Sequence, residues 1–171
     1  MTEEFRSLLS CFATGVTVAT TVDGDGQPWG MTASSVASVS LEPPLLLICV
    51  DREAKFHAAV HGAAGFALNV LAASQEEVSR TFASRLENPF ASADYRIGPD
   101  GFPLLAGAVA HIICASWGTY EAGDHTVFFG RVSGGETFDA MPLIHYRSKY
   151  TTTDSTAIDG ENDSWEKSSD R

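Results

Sequence analysis

The chain has 171 residues, 44% of them apolar by type, and sets 22 acidic side chains against 11 basic ones for a formal charge of −11. Such a length suits one domain with a real core, and the charge excludes nucleic-acid binding, which needs clustered Lys and Arg against phosphate. No run approaches the ~18 apolar residues of a membrane span, and the acidic opening Met1-Thr2-Glu3-Glu4 does not read as a signal peptide, so a cytoplasmic protein without membrane contact is expected. Cys11, Cys49 and Cys114 lie in apolar contexts without metal-like spacing and are expected to be buried packing residues.

In chain order, Phe5, Leu8, Leu9 and Phe12 recur at helical spacing and predict a helix over 3–12 with one apolar face, ended by Gly15. The β-branched run Val16 to Val22 predicts a strand, and Asp23-Gly24-Asp25-Gly26 a tight turn. A second strand starts near Pro28 and enters a run of small residues, with Val36 to Leu41 continuing after a bend. Pro43-Pro44 then resets the chain before Leu45 to Val50, whose nearly unbroken apolar run reads as a central strand covered on both faces. Residues 54–61 predict a short helix closed by Gly62, and Phe66 to Leu71 a strand. Ser74 with Glu77 three residues on has capping-box spacing and opens a helix through about Ser84.

Residues 85–107 read as mostly loop. Ala108 to Tyr120 and His125 to Thr137 form a long hairpin turned at 121–124, and Leu143 to Tyr146 with the region of Tyr150 supply the last ordered elements. Six or seven strands with two or three inserted helices, and no regular βαβ alternation, predict a mainly β fold built as an antiparallel barrel. From residue 151 onward acids outnumber bases in a Ser/Thr/Asp-rich stretch. The expected organisation is therefore a domain over 1–150 and an acidic, disordered tail over 151–171.

Three constellations carry chemistry. Thr32-Ala33-Ser34-Ser35 are poor core material but suit a flat, polar-edged ligand laid against backbone N–H groups; a strand bend with solvent-facing serines is the equal alternative. Cys49-Val50-Asp51-Arg52, with Lys55 and Phe56, brings a strand end, cations and a helix start together as an anion site, against two surface cations beside Asp51 and Glu53. Gly123-Asp124-His125-Thr126 turns the chain and sets a histidine at a strand mouth, where it either meets a ligand or stands in solvent. Phe82-Ala83, at the end of the third helix, is a weaker candidate for close approach to the same ligand. No Gly-x-Gly-x-x-Gly, P-loop or Gly-x-Ser-x-Gly pattern is present.

Taken in order, Phe12-Ala13-Thr14-Gly15-Val16-Thr17-Val18, Gly30-Met31-Thr32-Ala33-Ser34-Ser35, Ser38-Val39-Ser40-Leu41-Glu42-Pro43-Pro44, Phe82-Ala83 and Gly123-Asp124-His125-Thr126 resemble the short-chain flavin reductases that serve two-component monooxygenases. The resemblance spans about Phe5 to Tyr150. It implies a homodimeric, antiparallel split β-barrel that binds FMN or FAD, takes hydride from NADH or NADPH, and releases reduced flavin to a separate oxygenase component. Carried over, Thr32, Ala33, Ser34 and Ser35 would meet the isoalloxazine, and Cys49, Val50, Asp51, Arg52, Lys55 and Phe56 the ribityl chain and phosphate. Phe82 and Ala83 would line the pocket, Gly123, Asp124 and His125 would hold the nicotinamide with His125 the catalytic-site residue, and Tyr150 would lie nearby. Trp29 stands where the family often has histidine, and Ser148-Lys149-Tyr150 lacks the family's glycine. A non-catalytic flavin- or heme-binding split-barrel module is the alternative of a different class.

Overall fold

The computed structural model describes residues 2–153, so the expected tail from residue 154 onward lies outside the described residues. Helix α1 (Thr2–Ser10) leads to β1 (Thr14–Gly15), β2 (Thr17–Val22), β3 (Pro28–Ala33), β4 (Val36–Leu41) and β5 (Pro44–Asp51). Helix α2 (Lys55–His61), β6 (Gly65–Val70) and α3 (Glu76–Ala83) follow, then the short pair β7 (Tyr95–Ile97) and β8 (Pro103–Leu105). The long hairpin β9 (Ala110–Ala122) and β10 (His125–Thr137) precedes β11 (Ile144–Tyr146) and β12 (Lys149–Thr151). Among the described residues no helix is long and apolar enough to cross a membrane.

The fold is mainly β, organised on a seven-stranded antiparallel sheet in the order β3-β2-β6-β9-β10-β5-β4. Its two edges, β3 and β4, are consecutive in the chain and joined through Ser34-Ser35. Seven strands laid flat would hold those edges about 29 Å apart, whereas the link from Ala33 to Val36 reaches at most about 11 Å. The sheet must therefore curl until its edges approach. Inside the curl, α2 packs Phe56 and Val60 onto Ala19, Ile48, Val50, Phe66, Leu68 and Phe128, all nearly inaccessible to water.

Several expectations change. Leu45 to Val50 forms a strand one place from the sheet edge, between β10 and β4, and not a doubly covered centre. Its burial alternates, with Leu46, Ile48 and Val50 facing the core and their neighbours half-buried. Leu45, Leu47 and Cys49 are apolar on the other face as well, so the run reads as doubly covered although that face is only half-buried. Ser74 is exposed and does not cap α3. Gln75 instead closes the 3-10 turn Ala73–Gln75 that leads into α3: its Oε1 accepts from Ala72 N–H at 2.9 Å, and its Nε2 donates to the Ala106 carbonyl at 2.8 Å.

Residues 85–107 contain a 3-10 turn (Pro89–Ser92) and the β7–β8 hairpin, which bury Phe90, Phe102, Leu104 and Leu105. Three-residue strands are too short to show alternation, so sequence periodicity missed them. Among the described residues the apolar face of α1 has no partner: Leu8 is 70% exposed, and Phe12 just after the helix is 74% exposed. Cys11, expected in the core, is exposed as well, whereas Cys114 is fully buried and its thiol is pushed up to about 12 by desolvation.

Candidate active site

The geometry of the β3 edge explains why small residues belong there. Asp23 N–H donates to the Gln27 carbonyl at 3.0 Å, and the β2–β3 register pairs Thr21 with Trp29, Ala19 with Met31 and Thr17 with Ala33. Hydrogen-bonded pairs alternate in an antiparallel ladder. Trp29, Met31 and Ala33 therefore spend their backbone groups on β2, while Gly30 and Thr32 turn N–H and C=O off the sheet edge. An edge row of unpaired donors and acceptors is a template for a polar-rimmed partner.

A cleft of about 1040 Å³ runs along that edge. Residues 27–32 line its base, Phe82 to Pro89 one wall, and Asp51 with Glu53 to Phe56 the other. Gly30 is required by the first wall, because a Cβ there would stand 2.6 Å from Phe82 Cε1. Phe82 is itself held edge-on by Phe90 at 4.9 Å. Behind it, the fully buried Ser79 ties three elements together. Its carbonyl accepts from Thr32 Oγ1 at 2.7 Å and its hydroxyl pairs with Tyr150 OH at 2.8 Å.

The second wall is built differently. Asp51 Oδ1 accepts from Glu53 N–H at 2.9 Å, so the carboxylate at this bend occupies a donor that an anion would otherwise use. Lys55 on this wall and Arg85 on the other make no ion pair among the described residues and are the cations available to a phosphate. Across the ladder, Asp51 is the register partner of His125. The imidazole Nδ1 lies 2.7 Å from Asp124 Oδ1, and that hydrogen bond is the main cause holding the Asp124 carboxyl below the usual carboxylate range. It leaves Nε2 for a ligand. Gly123, at φ 65°, supplies the left-handed turn that delivers the pair.

Thr32, Asp51, Lys55, Phe56, Phe82 and Ala83 thus line one cleft, as a shared site requires. Asp124 and His125 stand at its β5 end through the ladder. The remaining candidates are placed otherwise. Ala33 and Val50 are buried, and Ser35 clasps Cys49 by Oγ to the Cys49 carbonyl at 3.0 Å and by Cys49 N–H to its own carbonyl at 3.2 Å. Ser34 is exposed outside the cleft lining. Arg52 turns toward the β9–β10 turn, its N–H on the Asp124 carbonyl at 3.1 Å and its guanidinium 3.8 Å from Glu121. Tyr150 does not line the cleft but braces α3, with the Arg80 guanidinium 5.1 Å above its ring.

Sequence reasoning missed Arg85, Glu87 and Asn88 on the first wall; Trp29, now at the base, it singled out only as a departure from the family pattern. The loop residues carry no periodic signal.

The family pattern of the flavin reductase like domain matches residues 9–154. A probable flavin reductase from Rhizobium meliloti is 41% identical over 162 residues, which is 91% of this chain and 52% of that protein. The chain thus spans about half the length of this relative. The reductase subunit of a flavin-dependent monooxygenase from Rhodococcus jostii is 43% identical over 148 residues, 86% of this chain and 75% of that one. Among solved structures, the NADH:FAD oxidoreductase of Streptomyces globisporus, determined with NAD and FAD fragments, superposes with a TM-score of 0.86 at 40% identity, covering 91% of this chain and 94% of that one.

Proposed function

Because the chain belongs to the flavin reductase like domain family, we propose that it transfers a hydride from NADH or NADPH to FMN or FAD and supplies reduced flavin to a separate oxygenase. The observation that carries this reading is the β3 edge, where Gly30 and Thr32 turn N–H and C=O groups into a cleft bounded by Lys55 and Arg85. A flavin fits these residues: the alternating acceptors and donors on the ring's polar edge match the strand edge, and its phosphate matches either cation. NADH is the favoured donor, since the Streptomyces relative is named for it.

The flavin supplies the hydride-accepting chemistry when bound, and the protein supplies binding and alignment. The Gly30 and Thr32 backbone orients the ring without reorganising, because β3 is already locked to β2. Phe82 and Phe56 exclude water from opposite walls. His125, with Nδ1 committed to Asp124, presents Nε2 to the carboxamide of the nicotinamide. No strong acid or base is required.

The curl of the sheet and its unpaired, consecutive edges support a split barrel, and the uncovered apolar face of α1 supports a homodimer in which a second copy covers it. A steady-state assay with both nicotinamides and both flavins tests the activity. NADH oxidation that starts only when free flavin is added is the expected result. Failure to oxidise either nicotinamide with either flavin would leave a non-catalytic flavin- or heme-binding module.

A further inference from the structure

We infer that Trp29 is the stacking platform for the flavin ring in the cleft, an inference that rests on the flavin reading above. Trp29 lies at the cleft base, one residue from Gly30, whose outward backbone groups face the ligand's rim. Its indole N–H donates to Asp23 Oδ2 at 2.8 Å. The other oxygen of Asp23 accepts the N–H groups of Asp25 at 3.0 Å and Gln27 at 2.9 Å, so the group that holds the indole is itself pinned in the β2–β3 turn. These bonds, that from Trp29 foremost, keep the Asp23 carboxyl below the usual range and therefore charged.

Indole has one polar atom, and it donates only. With that atom committed to the turn, what Trp29 offers the cleft is its ring. The strand edge then serves the rim of a flat heterocycle by hydrogen bonding, and Trp29 serves its plane by stacking. Met31, on the same side of β3, packs with Trp29 against the core that holds α2, which fixes the ring from behind.

The test uses the full chain and FMN, which has no adenine to quench its own emission. Indole in contact with an isoalloxazine quenches it by excited-state electron transfer, and phenylalanine does not. Equilibrium dialysis measures FMN retained, and emission is read on the same samples. Bound FMN should lose most of its emission in the wild type and recover it several-fold in Trp29→Phe. In Trp29→Leu the dissociation constant should rise about fivefold to tenfold, while Trp117→Phe, whose ring lies outside the cleft lining, should change neither reading. FMN that is retained but as bright as in free solution overturns the platform on the wild type alone. Equal darkness in Trp29→Phe overturns it as well. Retention of neither FMN nor FAD by the wild type overturns the flavin reading instead.

Discussion

His125 has its role defined by its neighbour. Asp124 takes Nδ1 at 2.7 Å and is itself 90% exposed, so the pair costs little to form and acts mainly by orienting the ring. His125→Ala should raise the KM for NADH more than it lowers kcat; unchanged saturation and rate in stopped-flow flavin reduction would remove the residue from the site. Away from the cleft, Glu136 accepts from the buried His111 at 2.9 Å and pairs with Arg96. The His111 hydrogen bond foremost, with the Arg96 charge, holds its carboxyl below the usual range. A lowered folded value means that the stabilisation is full above the unfolded value of about 4.3 and disappears as pH falls through the folded one. Glu136→Gln should thus lower the urea midpoint at pH 7, and its gap to the wild type should close below about pH 4. A gap that does not change with pH would contradict the linkage.

Elements position the site through shared residues. Strand β3 contributes hydrogen-bonding groups only because it is an edge, and α3 can approach it only because residue 30 has no side chain. Gly30→Ala would drive a Cβ against Phe82, which Phe90 prevents from swinging away. A loss of about 1–3 kcal/mol in denaturant melts is expected, with weaker FMN retention from the displaced wall. Full stability together with full retention would show that Phe82 is free to move. The C-terminal β12 matters to the cleft in the same indirect way, since Tyr150 reaches Ser79 and Ser79 holds Thr32.

At the scale of the molecule, the curl of the sheet brings β5, with its partner β10, to the same cleft as β3, although the sheet order separates β3 and β5 by four strands. The same curl leaves α1 outside, with Phe5, Leu8, Leu9 and Phe12 on the surface. A stripe of that kind is costly in water, and the proposed homodimer would cover it with a second copy. Sedimentation should report a dimer for the wild type and a monomer for Leu8→Glu combined with Phe12→Glu. A dimer that survives both changes would place the interface elsewhere, and a monomeric wild type would remove it.

Sequence alone determined the strands from Val16 to Val22 and Phe66 to Leu71, the β9–β10 hairpin and the turn that carries His125, because β-branched and apolar runs and glycine turns are local signals. It also selected Thr32, Phe82 and Lys55, though not the reason they meet. Tertiary structure decided that α1 lies outside the core, that Gln75 closes the turn ahead of α3 where Ser74 was expected to cap it, and that Arg52 reaches the β9–β10 turn. It also turned the Gly30 and Thr32 backbone off the sheet edge and set Tyr150 to bracing α3. These outcomes depend on which strand is an edge and on what crosses above it. A chain read residue by residue carries its periodicities, whereas ladder parity and sheet closure arise only when distant segments pair.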